Sequence, residues 1–438
     1  MEKMVIKGGR RLTGRVHIEG SKNAALPIQA ASLLATVGSF RLTNVPPLLD
    51  IITMNRLLKF LGVAVAFDEA KHELLLDAQQ PVANEAPFEY VDEMRASLLV
   101  MGPLLARTGH VKVALPGGCA IGSRPIDLHI KGLTALGARV DQRDGYIEAR
   151  ADQLTGARIY LDFPSVGATE DLMMAATRAT GITTIENAAR EPEIIELANF
   201  LNKMGARVHG AGTAVIRIQG VNFLHGCEFR LMPDRIEAGT FMIAAAITNG
   251  DVLVADTIAE HNASLIAKIE EMGVTVIRQD DGIRVLGTAV LLPTNIKTMP
   301  YPGFPTDLQP QISVLQLLAN GVSTLDERIF EKRFMHLEEL RRMNAKFQIS
   351  GPVAVLDGPT EFSGAEVTAS DLRAGAALVL AGLAAKGITQ VRNVTEIDRG
   401  YYHFQEKLHA LGAMIDRIDI VDKYKLSPGH PTNETNHD

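Results

Sequence analysis

The sequence has few cysteines, no excess of positive charge and no long apolar run, and each absence excludes a class of protein. The two cysteines, Cys119 and Cys227, lie 108 positions apart in 438 residues, which excludes a disulfide-rich scaffold and a cysteine zinc site and fits a reducing compartment. Lys and Arg number 44 against 51 Asp and Glu, a net charge of −7, so a non-specific binder of nucleic-acid phosphates is not expected. The longest apolar runs, residues 96–106 and 374–385, fall short of the roughly 18 residues of a membrane span. We expect both to be buried helices.

Leader and nucleotide-binding signatures are also missing. The start, Met-Glu-Lys-Met-Val-Ile-Lys-Gly-Gly, contains no apolar stretch typical of a secretory signal, and we expect a cytoplasmic protein. No P-loop, dinucleotide-binding glycine turn, Gly-x-Ser-x-Gly elbow or His-Glu-x-x-His motif occurs. ATP hydrolysis by a P-loop, hydride transfer and zinc hydrolysis therefore lose their usual support.

What the sequence does contain is a repeat with a long period. A triplet of Leu or Met, then Gly or Asn, then Ala or Val ends an amphipathic helix six times, beginning at Leu61, Leu136, Met204, Met272, Met343 and Leu411. The glycine is the expected helix stop. A second glycine closes an apolar helix and opens an alternating strand, at Gly38, Gly109, Gly181, Gly250, Gly321 and Gly387. The alternative is that Leu-Gly-Ala is merely a common helix end and marks no repeat, but this does not explain why two sets of glycines recur six times each in alternation.

The repeat predicts six α/β units of about 73 residues each. Each unit is expected to run strand, helix, strand, helix, strand, with crossover helices joining parallel strands. Six units are too many for one hydrophobic core, so we expect two domains of three units. Residues 426–438 contain no apolar anchor and are predicted to be a disordered tail.

A glycine-rich loop presents one of the two cysteines. Gly117, Gly118 and Gly122 surround Cys119, and Arg124 with a helix start at Pro125 follows shortly after. A nearby cation and a helix N-terminus both favour a reactive thiolate or a tuned proton donor. We therefore predict that this cysteine is functional, although buried cysteines are usually inert. For Cys227, in a strand-like segment, we expect the inert role.

Polar residues stand at the starts of several apolar helices. Ser21 caps a helix whose first turn holds Lys22 and Asn23. The positive end of the helix dipole disfavours a lysine there unless an anion lies in front of it; a solvated lysine is the alternative. Residues 165–169, 305–307 and 369–373 occupy the same place in their own repeats.

Converging helix starts would form a cleft suited to small polyanions, with full charges supplied by Lys22, Arg95, Arg124, Arg373 and Arg399. For Arg95 an exposed helix arginine, and for Arg399 a local ion pair, are the alternatives. Asp307 lies in the proline-rich segment 300–311, which we expect to be irregular. It is either a simple N-cap or a general base held near cations.

These segments resemble the enolpyruvyl transferases over about residues 1–425, through residues 20–26, 94–97, 115–127, 165–169, 233–240, 305–311 and 371–375. The cysteine loop is similar to that of the branch acting on UDP-N-acetylglucosamine, and the branch acting on shikimate 3-phosphate lacks this cysteine. The resemblance implies a two-domain inside-out α/β barrel with six repeated βαβαβ-type units, three per domain. Residues 22–232 would form one domain, and residues 1–21 with 233–425 the other.

The implied reaction moves the enolpyruvyl group of phosphoenolpyruvate to the 3′-hydroxyl of UDP-N-acetylglucosamine and releases phosphate, the first committed step of peptidoglycan synthesis. The resemblance implies no metal or organic cofactor, no nucleic-acid or membrane partner and no obligate protein partner. Fosfomycin, a thiol-alkylating epoxide, would target the cysteine. Transfer to shikimate 3-phosphate and a catalytically silent UDP-sugar-binding paralogue are the alternatives.

The resemblance also implies residue roles. Cys119 would give a proton to the methylene group of phosphoenolpyruvate and form a covalent adduct, and Asp307 would take the hydroxyl proton. Binding of the phosphate and carboxylate of phosphoenolpyruvate would fall to Lys22, Arg124 and Arg399. The implied nucleotide-sugar contacts are Asn23, Arg95, Arg124, Pro125, Ile126, Asp127, Leu128, Ser165, Val166, Gly167, Asp307 and Ile329. Supporting or closure positions would be Arg333, Asp371 and Arg373.

Two positions depart from the family pattern. Phe163 and Leu49 stand where several relatives have a lysine. This departure leaves the affinity for the uridine side of the nucleotide sugar open, and it does not affect the implied chemistry.

Overall fold

The computed structural model describes residues 2–115 and 126–419. Its strands are β1 (Glu2–Lys7), β2 (Thr13–His17), β3 (Phe40–Thr43), β4 (Ala64–Asp68), β5 (Glu73–Asp77), β6 (Glu85–Ala86), β7 (His110–Ala114), β8 (Arg139–Arg143), β9 (Tyr146–Arg150), β10 (Arg158–Tyr160), β11 (Ile182–Glu186), β12 (Arg207–His209), β13 (Val215–Gln219), β14 (Glu228–Arg230), β15 (Asp251–Ala255), β16 (Thr275–Gln279), β17 (Gly282–Leu286), β18 (Ile296–Lys297), β19 (Val322–Asp326), β20 (Phe347–Ser350), β21 (Val353–Asp357), β22 (Glu366–Thr368), β23 (Ile388–Arg392) and β24 (Met414–Asp419).

The helices are α1 (Lys22–Ala31), α2 (Leu49–Phe60), α3 (Phe88–Glu93), α4 (Met101–Thr108), α5 (Asp127–Ala135), α6 (Val166–Ala176), α7 (Pro192–Lys203), α8 (Arg235–Ile247), α9 (Ala263–Glu271), α10 (Gln309–Leu318), α11 (Met335–Arg341), α12 (Leu372–Ala384), α13 (Thr395–Asp398) and α14 (Phe404–Ala410). Short 3₁₀ helices cover Ser32–Leu34, Arg95–Val100, Ala259–Asn262 and Thr306–Leu308. Both predicted buried helices are confirmed, since the first apolar run lies in Arg95–Val100 and α4 and the second in α12. In the described part of the chain no helix has the length and apolar character needed to cross a membrane.

The described strands form six sheets of four strands each. Their orders are β14-β3-β5-β4, β6-β7-β9-β8, β10-β11-β13-β12, β2-β15-β17-β16, β18-β19-β21-β20 and β22-β23-β1-β24. In every sheet the first two strands are parallel, and the third is antiparallel to both of its neighbours. The prediction of six units is confirmed, but each sheet contains one strand more than the predicted pattern. The extra strand is the return arm of a short hairpin, or β1 in the last sheet.

The helix stops lie where the repeat predicts them. Five of the six triplets begin at the residue that caps a helix, after α2, α5, α7, α9 and α14. Their glycines have φ between 91° and 100°, in the left-handed region that glycine adopts without steric cost. The remaining triplet has Asn344 at φ 75°, the residue that most readily replaces glycine there.

Two separate hydrophobic cores lie between the sheets and the helices. One is built from residues between Ala25 and Leu231. The other combines residues 4–18 with residues between Ile236 and Ile415. Every residue of α8 is buried, as expected for a helix that is apolar on all sides after its first turns. The division into residues 22–232 and 1–21 plus 233–425 stays a prediction, and the two cores support it.

The chain passes between the cores at two adjacent segments. Residues 20 and 233 form a bridge, with Ser21 N donating to Met232 O at 2.8 Å and Asp234 N donating to Glu19 O at 2.8 Å. Gly20 is required here, because a Cβ would lie 1.7 Å from the carbonyl oxygen of Asn44. The strand β2 pairs with β15, and β14 pairs with β3, so each crossing segment leaves a sheet of one core and starts a helix of the other. The crossing places the starts of α1 and α8 side by side.

Candidate active site

Most of the predicted site residues in the described part of the chain lie at or near the starts of buried helices. Lys22 and Asn23 open α1, and Val166 and Gly167 open α6 behind the cap Ser165. Others of this kind are Arg95 at the start of its 3₁₀ helix, Asp127 at the start of α5, Asp307 before α10, and Asp371 and Arg373 at the start of α12. Ser21 Oγ accepts from Ala24 N at 3.3 Å, so the predicted cap of α1 is confirmed.

The first cluster of charges joins Lys22 and Arg399 through one carboxylate. Lys22 Nζ lies 3.1 Å from Asp50 Oδ2, and Arg399 Nε lies 2.9 Å from Asp50 Oδ1. The lysine is 8% exposed, so the alternative of a solvated lysine is wrong. Arg399 also pairs with Glu396 at 3.0 Å, so the local ion pair exists alongside the long-range one.

The pKa of the Asp50 carboxyl reflects this position. Burial alone would raise that pKa, but the positive charges of Lys22 and Arg399 and their hydrogen bonds hold it below its ordinary value. The side chain is therefore a carboxylate at neutral pH. It contacts two cations that come from different cores.

The second cluster surrounds Asp307. Its Oδ1 lies 3.0 Å from Arg333 Nη1, and its Oδ2 lies 3.3 Å from Arg373 Nη2. Both arginines are almost fully buried, whereas the aspartate side chain is 27% exposed. One carboxylate with a guanidinium on each oxygen is fixed in orientation and still reachable from outside.

Glu327 ties the neighbouring loop to this cluster. Its Oε1 accepts from Ile329 N at 2.8 Å, and its Oε2 accepts from the Thr306 hydroxyl at 3.0 Å. Thr306 Oγ1 in turn accepts from Arg333 Nη1 at 3.0 Å. The predicted contact residue Ile329 is thus held beside Asp307 through a buried glutamate.

The expectation of an irregular segment over residues 300–311 is only partly met. Thr306–Leu308 is a 3₁₀ helix, and α10 begins at Gln309. Pro310 is tolerated because the first helical turn leaves backbone N–H groups unpaired in any case. The residue capping α10 is Leu308, and Pro305 caps the 3₁₀ helix, so the N-cap alternative for Asp307 is wrong.

Asp234 and Arg235, at the second crossing segment, connect the two clusters. Asp234 Oδ2 accepts from Lys22 N at 3.1 Å, while its Oδ1 caps α8. Arg235 Nε lies 3.0 Å from Glu193 Oε1, in a pair buried on both sides. The charges of Asp234 and Asp307 both act on Arg373, and Asp307 acts on Arg235. The candidate residues of α1, α8, α10 and α12 therefore share one neighbourhood.

The starts of α5 and α6 form a second part of the candidate site. Asp127 is exposed and Ile126 and Leu128 are half-buried, and the next residue, His129, lies 3.1 Å from Asp171 Oδ2 in a buried pair. A Cβ on Gly167 would lie 3.6 Å from His129 Nε2. The two predicted nucleotide-sugar segments, residues 126–128 and 165–167, are therefore neighbours.

Several predicted residues lie outside the described ranges, namely Cys119, Arg124 and Pro125, as does the predicted tail 426–438. Arg95 is half-buried, so the alternative of a fully exposed helix arginine does not hold. Burial raises the pKa of the Cys227 thiol to about 11, which agrees with the inert role predicted for it. Of the two departures from the family pattern, Phe163 is exposed, and Leu49 is half-buried as the first residue of α2.

Charged groups of this region that the sequence did not single out include Asp50, Glu193 and Arg235. An acid in the first turn of a helix is the ordinary preference there, so nothing in the sequence sets Asp50 apart. Glu193 has the same position in α7. Only Arg235 had a signal in the sequence. Like Lys22, it is a cation at a helix start, and a cation there is unfavourable without a nearby anion.

The comparisons with known proteins cover nearly the whole chain. Residues 6–408 match the family model of EPSP synthase (3-phosphoshikimate 1-carboxyvinyltransferase). UDP-N-acetylglucosamine 1-carboxyvinyltransferase 1 of Halalkalibacterium halodurans is 57% identical over 419 residues, 95% of each chain.

Two solved structures resemble the fold. The enolpyruvyl transferase NikO from Streptomyces tendae has a TM-score of 0.85 at 25% identity, over 95% of this chain and 98% of that one. EPSP synthase from Acinetobacter baumannii has a TM-score of 0.74 at 18% identity, over 96% and 100% of the two chains. The fold implied by the sequence resemblance is thereby confirmed, and the chain belongs to the EPSP synthase family of enolpyruvyl transferases.

Proposed function

We propose that this protein transfers the enolpyruvyl group of phosphoenolpyruvate to the 3′-hydroxyl of UDP-N-acetylglucosamine and releases phosphate. The observation that carries the proposal is 57% identity over 95% of the chain to a UDP-N-acetylglucosamine 1-carboxyvinyltransferase. The likeness to an EPSP synthase structure is 18% in sequence, so it supports the fold alone. This transfer is the first committed step of peptidoglycan synthesis.

Phosphoenolpyruvate binding is assigned to Lys22, Arg124 and Arg399. Lys22 and Arg399 come from different cores and meet at one carboxylate, so a small dianion can bridge them. Lysine offers three N–H donors and arginine five, more than Asp50 uses. Charges that already face the phosphate and carboxylate also stabilise the tetrahedral intermediate in which those groups persist.

The acceptor side is assigned to Asp307 and to the segments 126–128 and 165–167. In the addition step the 3′-hydroxyl oxygen bonds to C2 of phosphoenolpyruvate, its proton passes to Asp307, and the methylene carbon takes a proton from Cys119. The product is a tetrahedral ketal that carries a methyl group. Arg333 and Arg373 hold both oxygens of Asp307 in place, which serves general base catalysis by orientation.

Elimination then completes the transfer. The methyl group loses a proton, the C–C double bond reforms, and the bond from C2 to the phosphate oxygen breaks, so that phosphate leaves with the electron pair. The thiolate of Cys119 takes the proton that the methyl group loses, and Asp307 gives its proton to the departing phosphate, so both groups return to their starting state. Exclusion of water by closure of the two cores would protect the ketal from hydrolysis.

We place the reaction in the cytoplasm, where both phosphorylated metabolites are found, with the two substrates as the partners of the site. None of the steps above calls for a metal or an organic cofactor. In the described residues no group of three or more His, Cys, Asp and Glu is arranged to hold a metal ion.

Phosphate release tests the proposal. The purified protein should release phosphate from phosphoenolpyruvate when UDP-N-acetylglucosamine is present, and Cys119→Ala and Asp307→Asn should lower the rate at least about a hundredfold. Cys227→Ala is the matched control and should retain the wild-type rate, because that thiol is inert. Phosphate release only when shikimate 3-phosphate is the acceptor would assign this protein the reaction of the other branch of the family. Tight binding of the nucleotide sugar without any release would identify a silent paralogue.

A further inference from the structure

Asp50 is the one described group that contacts cations of both cores at the proposed phosphoenolpyruvate site. Its side chain is 7% exposed, and each carboxylate oxygen contacts a different cation, Lys22 at 3.1 Å and Arg399 at 2.9 Å. The lysine belongs to α1 of the first core, and the arginine follows α13 of the second. Positions 50 and 399 are 349 residues apart. The contact therefore depends on how the two cores meet.

The position of Asp50 relative to Lys22 is fixed by a separate contact between their helices. Gln29 of α1 donates through Nε2 to Asn55 Oδ1 at 2.8 Å and to Ile51 O at 3.4 Å, both in α2. All of these side chains are buried. The carboxylate is thus held on a rigid part of the first core, from which it reaches the arginine of the second.

Two opposing effects follow from a carboxylate in an anion site. It repels an incoming anion. It also relieves the repulsion between the two cations and gives the buried lysine a partner. A buried lysine without a partner would cost more than the repulsion of the anion in a low-dielectric site. Each cation gives Asp50 only one hydrogen bond, so further N–H donors remain for a ligand. The benefit of holding the two cations in place therefore outweighs the repulsion between Asp50 and the incoming anion.

We propose that Asp50 is a positioning residue that holds Lys22 and Arg399 together across the two cores before phosphoenolpyruvate binds. The inference rests on the proposed function and adds a residue to it. Once phosphoenolpyruvate is bound, its own negative groups hold the two cations. The carboxylate therefore acts on the free enzyme and on substrate capture, because it orders the site in advance.

The test compares steady-state constants of Asp50→Asn, which keeps the shape and removes the charge, with those of wild type. We expect the KM for phosphoenolpyruvate to rise about tenfold or more, kcat to fall less than about threefold, and the KM for UDP-N-acetylglucosamine to stay within about twofold. Asp50→Glu restores the charge on a longer side chain and should show a smaller rise of about threefold. A purely structural role would not give this division between KM and kcat or this rescue.

Asp251→Asn is the matched control. It removes a carboxylate that binds Arg284 at 2.8 Å in an exposed ion pair within one core, and we expect wild-type kinetics. An unchanged or lower KM for phosphoenolpyruvate in Asp50→Asn would overturn the inference, as would equal losses in kcat and kcat/KM. If the Asn variant does not fold, an unchanged KM in Asp50→Glu would overturn it, since that variant displaces both oxygens. A wild-type enzyme that releases no phosphate would instead refute the proposed function.

Discussion

At the scale of single residues, the charges around the candidate site depend on burial as much as on partners. His336, behind the Asp307 cluster, is 1% exposed and lies 2.9 Å from the Ser313 hydroxyl. Burial lowers the pKa of its imidazole to about 4, with Arg333 lowering it further and Asp371 opposing. The ring is therefore neutral in the folded protein at pH values where a free histidine is charged.

This burial predicts a loss of stability in acid. Between pH 6.5 and pH 4 the unfolded chain binds a proton at His336 that the folded protein does not, so the free energy of unfolding falls as the pH falls. The loss should be on the order of 2–3 kcal/mol. In urea unfolding at pH 7 and pH 4.5, His336→Gln should lose less stability than wild type over this interval. The exposed His409→Gln should follow wild type, and an equal loss in all three proteins would contradict the prediction.

The sequence could suggest which residues belong to the candidate site but not which of them form ion pairs. Lys22 and Arg373 stood out because they lie at helix starts, and Asp307 because it lies in an unusual proline-rich segment. Asp50 did not, because an acid in a first helical turn has an ordinary local explanation. Its significance comes from a contact with Arg399, 349 residues further along the chain, and only the meeting of two cores creates that contact.

At the scale of helices and strands, the glycines divide into two kinds with different physical reasons. Those of the helix stops have positive φ, and this local requirement made the six-fold repeat visible in the sequence. Three others, Gly156, Gly226 and Gly364, have ordinary φ but lie against a neighbouring strand, with their N–H groups donating at 2.8 Å to Thr180, Val37 and Lys386. They could not be recognised from the sequence, since the close approach of a neighbouring strand is a property of the folded sheet. The return strands of the hairpins were missed for a similar reason, because they are short and follow the helix stop directly.

The two kinds of glycine should respond differently to alanine. A Cβ on Gly364 would lie 2.3 Å from Ile388 O, whereas one on Gly387 has no atom within 4 Å and is disfavoured only by φ 93°. We expect Gly364→Ala to lower the free energy of unfolding by about 2–3 kcal/mol and Gly387→Ala by about 1 kcal/mol. Urea unfolding of the two variants beside wild type measures this order. Equal losses would mean that the strand moves away at little cost.

At the scale of the whole molecule, ion pairs hold the two cores in contact beside the candidate site. Besides the contact of Asp50 with Arg399, Glu193 of the first core and Arg235 of the second form a buried pair at 3.0 Å. Glu170 and Glu191 lie close to it, and burial together with these neighbouring carboxylates raises the pKa of Glu170 well above its ordinary value. Arg235 is therefore the cation that allows several acids to approach one another at this boundary.

Removal of that cation should open the molecule. In Arg235→Gln, Glu193 would be a buried carboxylate without its partner, a situation that costs about 3–5 kcal/mol when one member of a buried pair is removed. Separation of the cores at this boundary hydrates the carboxylate and relieves the cost.

In small-angle X-ray scattering at pH 8, the radius of gyration of the free variant should exceed that of wild type by about 1 Å, on roughly 22 Å for a chain of this length. UDP-N-acetylglucosamine should reverse the increase, since its proposed contacts come from both cores and such a ligand favours the closed arrangement. Arg284→Gln, which breaks the exposed pair with Asp251 inside one core, should scatter like wild type. If Arg235→Gln matches the wild-type radius with and without the nucleotide sugar, the buried pair does not control the contact between the cores.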